Sequence, residues 1–466
     1  MPHISKSLES RSALIDKLPV EMMREIFKHC AESDPELPYR SAVDLCLVSR
    51  YWNEVANNTP QLWTKINLTF PFSDLHLSAA SKRVRASKLE GIDVSIDFRD
   101  PDGLCEEPDG EWVDFTYESI WVKKITAVLE GTARRWKSIK VVSKTWLPLQ
   151  FLIVAWRGYT NLPSLESISV ERDFPSLGMH GATFVPLRLD APETLFDSRV
   201  SAPKLRELSL SGVHFNWHVF GSQFQRLRKL EIKNQTSLFG PTFGEFATML
   251  SSSFYLECLD VSGFCPEEDT AEVPLVYLPE LRDFTFGWKH VVIFRRFLEM
   301  FQIGSSLENL TLLDMESGLK RGREGERTGD GDWAHSSDEV FRVLLRLANA
   351  PEWDPEEEED LPPDPFISMR RVKNLRIAWT KVADLEALIP FLEKLTEVEY
   401  LQLEDVSRSV FEAVVSVGAN RATASCRLET LDSQWKWQAE IPSFAGTFIR
   451  NLKAAGARFS TEIPGR

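Results

Sequence analysis

Cysteine is sparse in this chain: six in 466 residues, with no two in a CxxC pair. That leaves neither a paired-cysteine zinc module nor a disulfide framework, and it fits a reducing compartment, cytoplasmic or nuclear. Cys30 and Cys46 lie in apolar helical stretches, where free thiols are expected to be buried. Long apolar runs are also missing. The strongest, Phe151 to Trp156, is far too short to cross a bilayer, and the N-terminus lacks an apolar signal core. No membrane partner is expected, and the glycosylation triplets at Asn67, Asn234 and Asn309 read as chance. Positive charge is in deficit. A net charge of −15 argues against a nucleic-acid partner, because phosphate binding rests on clustered Lys and Arg. The one small basic cluster, Lys82, Arg83, Arg85 and Lys88, reads as a solvated helix face.

Catalytic constellations are wanting too. No P-loop, GxSxG or HExxH motif occurs. His214 and His218 are spaced i, i+4, but without the accompanying glutamate, and a strand register nearby spoils a shared helical face. They read as a surface pair, so no metal, cofactor or catalytic residue is expected. A site assembled from distant residues is the remaining enzymatic alternative.

What the chain does have is a dense apolar start. Pro19 suits the first turn of a helix, and Glu21 then favours its dipole. Met23, Ile26, Phe27 and Cys30 follow at helical spacing. Ser33-Asp34-Pro35 and Pro38 break the helix, and a second stripe runs Leu45, Val48, Trp52, Val55, Ala56. Pro60 opens a third short turn with Leu62 and Trp63. Leu47, Arg50 and Tyr51 lie off the core line and face outward. About seventy residues hold no deep core unaided, so the segment reads either as a self-contained three-helix bundle or as a docking module.

Residues Leu14 to Leu68 resemble an F-box. The Leu18-Pro19 start, the Ile26-Phe27 pair, Val48-x-Arg50-x-Trp52 and Leu62-Trp63 fall in the family's order. Thr59 to Ile66 is similar to the version common in mushroom-type fungi. Ser49 stands where the family usually carries Cys, and the Glu32 to Ser41 loop is longer than in simple members. The resemblance implies binding to the Skp adaptor of a cullin-based ubiquitin ligase. It implies that Leu18, Pro19, Ile26, Phe27, Val48, Arg50 and Trp52 serve that contact or the fold beneath it.

Beyond this module a three-step pattern, L-x-x-L-x-L, recurs. Clear copies are Leu165/Ile168/Val170, Leu205/Leu208/Leu210, Leu227/Leu230/Ile232, Leu256/Leu259/Val261 and Leu281/Phe284/Phe286. Leu307/Leu310/Leu312, Val372/Leu375/Ile377 and Val398/Leu401/Leu403 continue it, with Leu428/Leu431 partial and Leu89/Ile92/Val94 and Trp136/Ile139/Val141 plausible early copies. From Leu205 to Leu307 the first positions step by 22, 29, 25 and 26, close to a leucine-rich-repeat period of about 20–29. Helical stretches are expected at Trp112–Arg135, Phe243–Leu250, Val291–Phe301, Val382–Leu395, Val410–Val417 and Phe444–Ala455. The fold class is therefore α/β: an N-terminal three-helix F-box-like module, then an irregular leucine-rich-repeat-like solenoid with a parallel sheet. A doubly wound α/β domain is the alternative. Expected boundaries are a flexible 1–13, the module at 14–70, a helical linker and irregular first repeat at 71–135, and the solenoid at 136–466.

Alternation puts positions +2, +4 and +6 of each copy on the face opposite the core. Glu207, Ser209, Glu231, Asp260, Asp283, Arg376 and Tyr400 are the candidate target-binding residues there; a merely solvated face is the alternative. Trp288, Trp379 and Trp435 recur at +7, with Trp217 and Trp437 nearby; they read as core or rim plugs, or as a rim for target capture. A disordered acidic insert is expected at about 316–365, a solubilising segment or a lure for a basic target, with a helix through Val340, Leu344, Leu345 and Leu347 inside it. Deleting Leu313 to Pro365 is expected to leave a cooperative fold. The halves together suggest a substrate-recognition subunit bound to a Skp adaptor and, through it, a cullin scaffold. An adaptor-bound scaffold without ubiquitin transfer is the alternative.

Overall fold

The computed structural model describes residues 14–32, 38–99, 116–173, 200–213, 217, 226–235, 240–263, 266, 275–288, 291–315, 334–350, 365–380, 382, 385–404, 406–407, 409–410, 413–414, 417 and 427–431. The fold begins with three helices, α1 (Val20–Glu32), α2 (Pro38–Val48) and α3 (Arg50–Asn57), and a short turn at Pro60–Trp63. Pro19 lies just before α1, and its carbonyl accepts the Met23 N–H at 3.1 Å. The second stripe is split. Ser49 ends α2 and caps α3, its hydroxyl accepting the Trp52 N–H at 3.1 Å, so the backbone turns between Val48 and Arg50. Pro38 opens α2 rather than breaking α1. Met23, Phe27, Ala42, Leu45, Val55, Ala56, Leu62 and Trp63 make a small core of their own.

The rest is a long parallel array. Twelve strands pair in chain order: β1 (Lys65–Thr69), β2 (Ile92–Asp97), β3 (Trp136–Ser143), β4 (Ser167–Arg172), β5 (Glu207–Ser211), β6 (Lys229–Lys233), β7 (Cys258–Ser262), β9 (Asp283–Trp288), β11 (Asn309–Asp314), β13 (Asn374–Ala378), β14 (Tyr400–Glu404) and β15 (Arg427–Leu431). This monotonic order rules out a doubly wound sheet, whose strand order reverses midway. A second, three-stranded parallel sheet sets β10 (Phe301–Ile303) between β8 (Val276–Leu278) and β12 (Phe366–Ile367). The leucine pattern does not announce it.

Each copy of the motif works the same way. The first apolar residue sits in a turn before the strand, and the next two point inward. Leu205, Leu208, Leu210, Leu227, Leu230 and Ile232 are all buried. The residue after that first position donates its backbone N–H to its counterpart in the preceding repeat: Arg206 to Glu166, Arg228 to Arg206, Glu257 to Arg228, Arg282 to Glu257, Glu308 to Arg282, Lys373 to Glu308 and Glu399 to Lys373, all at 2.8–2.9 Å. Strand exits repeat as well. Gly212, Asn234, Gly263 and Trp379 take positive φ and donate to the following strand's end. Gly287 has no room for a side chain, since a Cβ would lie 2.9 Å from Ser262 Cα.

Helices back the sheet: α4 (Asp74–Ala86), α5 (Thr116–Leu129), α6 (Trp146–Trp156), α7 (Phe243–Ser251), α8 (Val291–Leu298), α9 (Ala334–Asn349) and α10 (Leu385–Lys394). Aromatic rings fill the space around α8: Phe286 lies 4.7 Å from Phe294, and Phe297 lies 5.0 Å from Phe301. Trp288 and Trp217 are buried in this core, as the plug reading expects, which removes them from any capture rim.

Several expectations change. The sheet starts at Lys65, inside the segment expected as a helical module. Leu89 is 92% exposed and is no core position; Ile92, Val94 and Ile96 carry that repeat. Cys30 is exposed and Cys46 half-buried, because each falls at the edge of its helix's apolar stripe. The helix expected within the insert is the 16-residue α9, and Val340, Phe341, Leu344 and Leu347 are buried in the main core. Deleting Leu313 to Pro365 would therefore remove core, and the expectation that it leaves a cooperative fold does not hold. The stretches 316–333 and 351–364, His214, His218, Trp435, Trp437 and Phe444–Ala455 lie outside the described residues.

Candidate functional site

Two surfaces stand out. The first is on the N-terminal helices. Helix α2 buries Ala42 and Leu45 and leaves Val43, Leu47 and Val48 outside; Leu47 is 76% and Val48 58% exposed. Val43 and Leu47 are four residues apart, one above the other on the helix surface. Met22 on α1 is exposed as well. Such apolar side chains on a unit with a core this small are what a partner covers.

The seven residues singled out from the sequence divide by burial. Pro19, Val48 and Arg50 are exposed; Leu18, Ile26 and Trp52 are half-buried; Phe27 is fully buried. Phe27 packs its ring 5.0 Å from Trp52 and belongs to the bundle's interior rather than its contact surface. Val48, placed by spacing on the core stripe, is turned out by the break at Ser49. Met22 and Val43 escaped sequence reading; their helical phase, opposite to Met23 and Leu45, was the available signal.

The second surface is the sheet face away from the core. Strand register brings the candidate residues into two adjacent rows. Glu207, Lys229, Cys258, Asp283, Asn309, Asn374 and Tyr400 pair in sequence along one row. Ser209, Glu231, Asp260, Thr285, Thr311, Arg376 and Gln402 make the next. The predicted parity holds at every one of these positions.

Neighbouring side chains on this face are knitted together. Ser209 donates to Glu231 at 2.7 Å, Lys229 pairs with Glu231 at 3.0 Å, and Lys233 bridges Glu231 at 3.5 Å and Asp260 at 2.9 Å. Asn374 donates to Asn309, which donates to Asp283, and Arg376 pairs with Glu404. Burial alone would raise the Glu231 carboxyl, but the Ser209 hydrogen bond and the two lysines outweigh it and hold it below the ordinary range. Lys229 is raised, chiefly by its bond to Glu231. Burial would lower Lys233, yet Asp260 and Glu231 hold it raised. Burial, reinforced by Asp283, pushes the Cys258 thiol up to about 11, leaving it unreactive at neutral pH. Among the described residues, no cluster of three or more His, Cys, Asp or Glu is placed to hold a metal. Nor is any described helix long and apolar enough to cross a membrane.

Both surfaces present recognition geometry and no reaction centre. Residues 15–69 match the protein-family model described as F-box-like. The chain thus carries an F-box-like domain followed by a long all-parallel sheet of leucine-rich-repeat type. The match takes in α1 to α3 and runs through β1. No curated protein matches the chain.

Proposed function

We propose that the chain is the substrate-recognition subunit of a Skp–cullin–F-box ubiquitin ligase. One observation carries this reading: the segment that matches the F-box-like family also leaves Met22, Val43, Leu47 and Val48 uncovered. In this reading a Skp-family adaptor covers those residues together with Leu18 and Pro19. Arg50 lies at the rim, while Ile26, Phe27 and Trp52 shape the bundle underneath. Glu207, Ser209, Glu231, Asp260, Asp283, Arg376 and Tyr400 would then take a protein target on the sheet face. Holding target and conjugating enzyme on one assembly raises their effective concentration, so the chain needs no catalytic group. The work would take place in the cytoplasm or nucleus. The run from Thr59 to Ile66 favours a fungal variant of the family.

The test is co-purification with a Skp-family adaptor. The double change Leu47→Asp/Val48→Asp should weaken capture by about a hundredfold, the loss of roughly 3 kcal/mol. Both side chains face solvent, so the thermal midpoint should move by less than about 2 °C. Undiminished capture by the variant would count against the adaptor surface. If capture is normal but target half-life is unaffected by depletion of the chain, the scaffold reading replaces the ligase one.

A further inference from the structure

We infer that the F-box-like segment is the N-terminal cap of the repeat sheet, so that its helices and the sheet face form one rigid body. A parallel array has two open ends, and each would expose apolar core unless something closes it. The sheet order ends at β1, and β1 belongs to the segment that matches the F-box-like family.

A single residue, Thr64, separates the turn bearing Trp63 from β1. The Thr64 carbonyl accepts the Asp93 N–H at 2.9 Å, so pairing with β2 starts before β1 itself. Ile66 and Leu68 of β1 are buried in the main core, whereas Leu62 and Trp63 belong to the helical core. The chain passes from one core to the other within four residues, leaving no length for a hinge.

Helix α4 makes a second tie. Its Leu77 and Ala80 lie in the main core, while Ala86 packs on the helical one. Just beyond it, Glu90 accepts a hydrogen bond from Gln61 at 2.7 Å. The end of α4 is held from the repeat side by Arg135. Its guanidinium donates to the Val84 and Glu90 carbonyls at 3.3 Å, to the Ser87 hydroxyl at 3.1 Å, and to the Lys88 carbonyl. A cation with several donors suits the unpaired carbonyls at a helix C-terminus. Arg135 is thus a positioning residue, setting the angle between the helices and the sheet. The coupling holds whichever partner the helices bind, so it stands apart from the ligase reading.

Hydrogen exchange on the full-length chain, read by mass spectrometry, tests this. Trp63→Phe removes the indole bond to the Ala56 carbonyl at 2.9 Å while keeping a ring in place, and Phe27→Ala empties the centre of the helical core. In either variant, exchange should accelerate threefold or more in α1–α3 and, together with them, in β1 and β2. Acceleration confined to α1–α3, with β1 and β2 unchanged, would overturn the inference. If Phe27→Ala does not fold, Trp63→Phe decides alone.

Discussion

Glu231 sits where Ser209, Lys229 and Lys233 converge, and the balance at this one carboxylate governs the acid response of the sheet face. Its folded pKa lies below the model value of 4.5. A depressed carboxylate adds stability that is present above its unfolded pKa and is lost as pH falls through the folded value. Glu231→Gln should therefore lower the urea midpoint at pH 7, and the gap from the parent should close as pH drops below the ordinary carboxylate range. A gap that stays constant with pH would mean the carboxylate is not the stabilised form. The lysines run the other way: raised values hold their contribution until pH climbs past the usual 10.5. The same residues inform the recognition reading, because Glu231 and Asp260 already have cationic partners. A target must exchange those pairs, and exposed ion pairs are worth only about 0–1 kcal/mol each, so exchange is inexpensive.

Among the elements, α9 departs furthest from what its surroundings suggest. It lies between two stretches of charge, Gly and Pro, yet its Phe341 ring stands 5.5 Å from Phe391 of α10. Ser337 adds a buried hydrogen bond to Asp314 at 2.8 Å, tying α9 to the end of β11. Phe341→Ala should destabilise the fold by about 3–5 kcal/mol, the usual effect of emptying a large buried site. Urea denaturation measures this; a loss below about 1 kcal/mol would place α9 outside the core. The strands were legible because one rule generates them all: an inward leucine at +3 and +5 leaves +2, +4 and +6 outside. The small second sheet was not, since β8, β10 and β12 have two or three residues each and no alternation long enough to read.

For the whole molecule, the shared strand β1 changes what a domain boundary means. Sequence resemblance divides the chain near residue 70 and expects the repeats to stand folded alone. The structure places the first strand and its buried Ile66 and Leu68 before that cut. A chain beginning at Pro71 would leave β2 as a bare edge beside uncovered apolar surface, a template for association. Size-exclusion chromatography should find it aggregated or oligomeric, in contrast to the full chain. A monomer with an unchanged melting midpoint would show that the helices are dispensable to the array.

The sequence by itself determined the class of fold, the parity of the sheet face and the family of the first helices. These follow from local periodicity and from the order of a few large residues, both written along the chain. Only the tertiary structure decided that Val48 turns outward, that α9 is core and that Arg135 holds the end of α4. Each depends on groups far apart in sequence or on a backbone turn at one polar residue. Apolar spacing specifies which side of an element is greasy; it does not specify what, if anything, packs against that side.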